Sequence, residues 1–164
     1  MHWLSAHGWA VAKHWKQRMW DFGFPLVARL ARSRWHRASL GLGRGLGLLT
    51  LGIQRGQPKS GLEAVGLEWQ RMFPNAKMVP ITGSDETTVY AEIRTHCPLR
   101  GTGDTEACHR MMEYDRRMLE RIGGQLVVLH SQSEPGRQHC EVAIREVDVS
   151  LADLVPAHLR RPSA

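Results

Sequence analysis

Apolar and polar positions alternate over residues 87–97, and this period of two predicts a β-strand. One face of that strand carries Val89, Ala91, Ile93 and Cys97, and the other carries Tyr90, Glu92, Arg94 and His96. Two more strands are predicted at residues 126–131 and 139–147, joined as a hairpin through a Pro-Gly turn. A shorter candidate strand covers residues 77–82, before a turn at residues 83–85. The pattern predicts an antiparallel sheet.

A helical period runs through residues 105–122, with Asp104 or Thr105 as the N-cap and Gly123-Gly124 as the stop. Its apolar stripe consists of Cys108, Met111, Met112, Asp115, Met118, Leu119 and Ile122. The opposite side carries Glu106, Arg110, Glu113, Arg116, Arg117, Glu120 and Arg121. Asp115 is the exception in the stripe, because burying a carboxylate without partners is costly. We expect Asp115 to be hydrogen-bonded, ion-paired or functional.

Further helical segments are predicted before the sheet, and together they favour the α+β class. They cover residues 3–20, 26–38, 40–56 (a helix or a packed loop) and 62–72. The chain is expected to divide into a basic, Trp-rich helical extension (1–56), a cysteine-bearing α+β domain (57–156) and a loose tail (157–164). The expected architecture is an antiparallel sheet covered by an amphipathic helix, with a helical N-terminal extension.

The net charge of +6 comes from the first third of the chain, where basic side chains far outnumber the single acid, Asp21. A basic surface suits an anionic partner, nucleic acid or an anionic membrane surface. A helical cap with a solvated basic face is the alternative. The most apolar stretch, residues 40–53, contains Arg44 and is too short to span a bilayer. We expect a cytoplasmic protein, with peripheral membrane contact as the alternative.

The three cysteines each have a histidine neighbour, in His96-Cys97, Cys108-His109 and His139-Cys140. Neighbouring residues on a strand face opposite sides. The thiols of Cys97 and Cys140 are therefore expected to point into the core, while His96 and His139 point outward. If the helix at residues 105–122 packs on the sheet, the side chains of Cys97, Cys108, Asp115 and Cys140 converge.

Residues 89–146, "VYAEIRTHCPLRGTGDTEACHRMMEYDRRMLERIGGQLVVLHSQSEPGRQHCEVAIRE", resemble the L-2-amino-thiazoline-4-carboxylic acid hydrolase-like family. The matching features are Cys97-Pro98 after a strand, Cys108 followed by Asp115, and a closing Gly136…Cys140 strand. A weaker likeness is to vinyl-reductase-type small-molecule-binding domains. The resemblance implies an α+β domain that opens a sulfur-containing heterocycle by hydrolysis, converting an aminothiazoline carboxylate toward S-carbamoyl-cysteine and cysteine.

Three functions follow as hypotheses. In a hydrolase, Cys97 or Cys108 is the nucleophile, Asp115 orients water or acts as the base, and Arg94, Arg100 or His130 binds the substrate carboxylate. In a metal-binding sensor or accessory module, Cys97, Cys108 and Cys140 hold zinc or an iron–sulfur cluster. In a non-catalytic interaction protein, the cysteines are structural and the basic helices dock to a partner. Substrate, cofactor and oligomeric state are not assigned by the sequence.

Overall fold

The computed structural model of the chain describes residues 22–160. Its helices are α1 (Phe24–Ala31), α2 (His36–Ile53), α3 (Leu62–Arg71), α4 (Thr105–Met111) and α5 (Glu113–Ile122). Its strands are β1 (Ile81–Ser84), β2 (Val89–Ile93), β3 (Gly124–His130) and β4 (Cys140–Glu146), and short 3-10 turns lie at Ala76–Met78 and Ala157–Leu159. The helix predicted at residues 3–20 lies outside the described residues.

The four strands form one antiparallel sheet in the order β1-β2-β4-β3, which confirms the predicted α+β class and the β3–β4 hairpin. In β2 the side chains of Val89, Ala91 and Ile93 are buried, as the alternation predicts. Helix α3 contacts β2 and β4, and α5 contacts β3. The hydrophobic core therefore lies between the sheet and these helices.

The helix predicted at residues 105–122 is broken at Met112 into α4 and α5. The Asp104 carboxylate caps α4 by accepting a hydrogen bond from the Ala107 amide at 2.8 Å. At the other end Gly123 adopts a left-handed φ of 98°, a conformation that favours glycine. The apolar stripe is buried as predicted, but Glu113 on the opposite side is buried too, because α2 packs against that side.

The helix predicted at residues 26–38 ends at Ala31, and a turn leads into α2 at His36. Residues 40–53 are helical, which resolves the choice between a helix and a packed loop. Helix α2 approaches α5 through Gly43 and Gly47. The Tyr114 hydroxyl on α5 lies 3.1 Å from the Thr50 hydroxyl on α2. Helices α1 and α2 thus pack on the helices that carry Cys108 and Asp115.

Several predicted boundaries were wrong by a few residues. Residues 76–78 form a 3-10 turn, because the Asn75 side chain accepts a hydrogen bond from the Lys77 amide, and β1 starts only at Ile81. The predicted turn at residues 83–85 starts later, since β1 continues to Ser84. Strand β2 ends at Ile93, so Cys97 lies in the following loop.

The C-terminal segment was expected to be loose from residue 157, but its described part is ordered against the domain. Ala157 is buried, and the turn Ala157–Leu159 contacts α4 and β3. Among residues 22–160, no helix combines the length and the apolar character that crossing a bilayer requires.

Candidate functional site

A cavity of about 440 Å³ opens between α1, α4, α5 and the loop after β2. This volume is in the range of small-molecule sites. Much of its apolar wall comes from Phe24, Phe73, Met78, Ile93, Met111 and Met112. The groups on it that can take part in chemistry are His96, Cys97, Cys108, Asp115, Gln132 and Cys140.

The structure brings Cys97, Cys108, Asp115 and Cys140 to the wall of this one cavity. Cys108 is on α4, and Asp115 lies about two turns later on α5. Cys140 begins β4, where it pairs with Ile93 of β2. All three thiols are free and buried.

Asp115 is 4 % exposed, and its Oδ1 accepts a hydrogen bond from the Trp69 indole at 3.0 Å. Burial raises the pKa of Asp115 from 3.8 to about 7, although Trp69 and the Arg116 charge act in the opposite direction. Among the ion pairs of residues 22–160, none includes Asp115. The carboxyl group can therefore exchange a proton near neutral pH.

The thiols of Cys108 and Cys140 titrate as an interacting pair on the cavity wall. The pKa of Cys108 is lowered, first by its interaction with Cys140 and then by Ser131 and the charge of Arg116, against the effect of burial. The pKa of Cys140 is raised, first by its interaction with Cys108 and then by burial. Burial raises the pKa of Cys97 to about 11. Cys108 is thus the cysteine best suited to act as a thiolate.

Gln132 holds the Cys97 loop in place and was not predicted. Its Nε2 donates to the carbonyls of Ile93 and Thr95, both at 2.9 Å, and its Oε1 accepts from the Cys97 amide at 3.2 Å. The guanidinium of Arg100 also donates to this Oε1, at 2.7 Å from Nη2. Gln132 follows a strand in a polar stretch, which is typical of an ordinary turn and gave no indication of this role.

None of the three residues predicted to bind a substrate carboxylate lines the cavity. Arg100 is instead engaged with Gln132 and the Gln138 carbonyl. His130 ends β3, at the edge of the sheet, where its ring nitrogens lie 2.9 Å from Arg137 Nη2 and 2.8 Å from Arg160 Nη1. Arg94 is exposed and paired with Glu92.

His96 was predicted to point outward, away from the site, and its side chain is exposed as predicted but not remote from the site. His96 is exposed at its outer side yet lines the cavity beside Cys97. The alternation argument fails because β2 has already ended at Ile93, and the loop turns His96 and Cys97 to the same space. His139, in contrast, lies 3.5 Å from Glu92 and does not line the cavity.

The described residues contain no group of three or more His, Cys, Asp or Glu side chains placed to hold a metal ion. The metal site expected from Cys97, Cys108 and Cys140 finds no support in this arrangement.

No protein-family model, curated protein or solved structure matches the chain. The resemblance to the hydrolase-like family stays a prediction from the sequence.

Proposed function

We propose that the protein binds a small sulfur- or nitrogen-containing heterocycle in the 440 Å³ cavity and hydrolyses it. The observation that carries this proposal is the buried Asp115 carboxyl group, which shares an otherwise mostly apolar cavity with three thiols. A buried carboxyl group without a counter-ion is costly in a site that serves only packing. The same group is useful to an enzyme as an acid or base.

The ligand that suits this site is a small ring with a protonatable amidine-like nitrogen, such as an aminothiazoline. Its cationic form would supply the ion-pair partner that Asp115 lacks among residues 22–160. The ring would rest on the apolar wall. Among the described lining residues there is no Lys or Arg, so His96 is the group that can meet a substrate carboxylate at the exposed side.

The hydrolytic step consumes one water molecule. The water oxygen adds to the ring carbon between sulfur and nitrogen, and Asp115 accepts the proton that the water loses. Asp115 then gives this proton to the ring nitrogen as the carbon–nitrogen bond breaks, and the hydroxyl group left on the carbon loses its proton to the released amine as the carbonyl forms. A pKa of about 7 suits both transfers at neutral pH. Direct attack by the Cys108 thiolate is the alternative first step, and Cys97 suits it less because of its raised pKa.

The test is turnover of 2-aminothiazoline-4-carboxylate by the full chain, followed by product analysis. We expect Asp115→Asn to lower kcat by at least about 100-fold, the usual contribution of a general base. Glu120→Gln is the matched control, because Glu120 lies on the same helix but pairs with Arg117 at the exposed surface.

Folded wild-type protein that neither turns over this compound nor melts at a higher temperature in its presence would contradict the assigned substrate. Full activity of folded Asp115→Asn would contradict the assigned role of Asp115. A covalent adduct on Cys108, trapped during turnover, would favour attack by the thiolate over attack by water.

A further inference from the structure

We propose that Cys108 and Cys140 form a dithiol that reduces organic hydroperoxides entering the cavity and becomes a disulfide in the process. This activity shares the cavity and Cys108 with the hydrolysis proposed above, but it does not depend on that hydrolysis. It uses Cys140, for which the hydrolytic step has no role.

The placement of the two side chains on one cavity wall is the first observation behind this proposal. Cys108 is on α4 and Cys140 is at the start of β4, and both line the same cavity. The backbone amide of Gln132 donates to Cys140 Sγ at 3.3 Å, which holds that sulfur in place. Each thiol is also the main influence on the pKa of the other, as expected for neighbouring thiols that could form a disulfide.

The different surroundings of the thiols assign their order of reaction. The pKa of Cys108 is lowered by Cys140, Ser131 and the charge of Arg116, all of which favour its thiolate. The thiolate is the reactive form of cysteine. Cys97 lacks this support and is held in a separate loop, where its sulfur accepts a hydrogen bond from the Leu99 amide at 3.4 Å. Cys108 therefore attacks first, and Cys140 is the resolving thiol.

Access is the second observation, because both thiols are buried but line an open cavity. The cavity wall is largely apolar and includes Phe24, Met111 and Met112, which suits an alkyl or aryl hydroperoxide better than hydrogen peroxide. Cys108 also borders a second cavity of about 230 Å³, between α4, β3 and the C-terminal segment. Cys108 thus lies between two cavities.

The reaction balances without a further reactant. The Cys108 thiolate attacks one peroxide oxygen, the O–O bond breaks, and the alkoxide takes a proton and leaves as an alcohol. Cys108 is now a sulfenic acid. Cys140 attacks its sulfur, the S–S bond forms, and the hydroxide leaves as water with the second thiol proton. The two sulfurs are oxidised by two electrons, and the peroxide is reduced by two.

The experiment treats the fully reduced full chain with one equivalent of cumene hydroperoxide, followed by thiol titration and peptide mapping. The expected result is a fall from three titratable thiols to one, with a disulfide between Cys108 and Cys140. We expect cumene hydroperoxide to react at least about tenfold faster than hydrogen peroxide, because the apolar group is stabilised by the cavity wall.

Variants separate the roles of the cysteines. Cys97→Ser should still lose two thiols. Cys140→Ser should stop at a sulfenic acid that dimedone traps on Cys108, and Cys108→Ser should leave both remaining thiols unoxidised. The proposal is overturned if the wild-type disulfide includes Cys97, if the wild type reacts no faster than a small thiol, or if folded Cys108→Ser reacts at the wild-type rate. The wild-type disulfide map decides the pairing even if a variant fails to fold.

Discussion

Asp115 is stabilised in the interior by a neutral donor, the Trp69 indole, at 3.0 Å. A neutral donor offsets only part of the free energy lost when a carboxylate leaves water. The part of this free energy that is not offset raises the pKa of Asp115 to about 7. Arg116, whose charge lowers the pKa of Asp115, is itself paired with Glu113 at 2.9 Å. The fold thus keeps this acid poised between its two protonation states.

Asp115 makes the protein less stable as the pH rises. Its pKa is raised in the folded state, so between about pH 4 and pH 7 the unfolded chain releases a proton that the folded chain retains. Above pH 7 this loss in the free energy of unfolding is complete. Because one pKa unit corresponds to about 1.4 kcal/mol, the loss is at most about 4 kcal/mol. Asp115→Asn should remove this pH dependence. Chemical denaturation of both proteins across this pH range measures the difference, and parallel curves would contradict the raised pKa.

Trp69→Phe should raise the pKa of Asp115 further, because it removes the indole donor and keeps an aromatic ring. A hydrogen bond to a charged group contributes about 1.5–3 kcal/mol, which corresponds to about one to two pKa units. Titration of the Asp115 carboxyl carbon by NMR measures the pKa directly. Phe73→Leu is the control, because Phe73 contacts the Trp69 ring edge to face at a centroid distance of 5.0 Å. An equal shift in both variants would assign the effect to packing.

At the scale of the elements, the contact between α2 and α5 depends on glycine residues of α2, which have no side chain. A Cβ added at Gly47 would lie 2.7 Å from the Tyr114 carbonyl oxygen, whereas one at Gly43 would lie at an ordinary contact distance. Gly45, on the same helix, has open space around it. The close approach places Arg44 on Glu113, with Nε 2.6 Å from Oε1. Helix α2 thereby supports the helix that carries Asp115.

Gly47→Ala should destabilise the protein by about 1–3 kcal/mol, the usual cost of overpacking. Gly45→Ala is the matched variant, and it should stabilise by up to about 1 kcal/mol because alanine favours a helix more than glycine does. Thermal or denaturant unfolding of the two proteins measures both values. Equal changes in the free energy of unfolding at the two positions would show that helix propensity alone determines the effect. They would also show that α2 and α5 move apart at little cost.

Periodicity predicted the elements that are regular and amphipathic, but not the contacts that depend on three-dimensional geometry. The apolar stripe placed Cys108 and Asp115 on one face, and the alternation placed Val89 and Ile93 on another. His96 was misplaced, since the strand period applies only within the strand. The hydrogen bonds by which Gln132 holds the Cys97 loop were not predicted. A buried amide that bonds to backbone groups produces no periodic pattern in the sequence.

At the scale of the whole molecule, the C-terminal segment covers the outer side of α4. The Arg145 guanidinium on β4 binds the Asp153 carboxylate, with Nη2 2.6 Å from Oδ2. The rings of His109 and His158 stack with centroids 3.8 Å apart. Burial lowers the pKa of His109 from 6.5 to about 4, and the charges of Arg116 and His158 act in the same direction. The segment therefore rests on a histidine that must stay neutral.

Acidification should loosen this segment. The pKa of His109 is depressed in the folded state, so stability is lost as the pH falls from about 6.5 to about 4. Asp115 has the opposite effect in nearly the same range, so the His109 effect is best measured in Asp115→Asn, with Asp115→Asn/His109→Gln as the control. Hydrogen exchange at residues 157–160 should accelerate on acidification only where His109 is present. Equal exchange in the two proteins would show that the stacked pair does not control the segment. Acceleration confined to the protein with His109 would show that protonation of His109 loosens the segment. It would also loosen one wall of the second cavity, because His109, His158 and Cys108 all line that cavity.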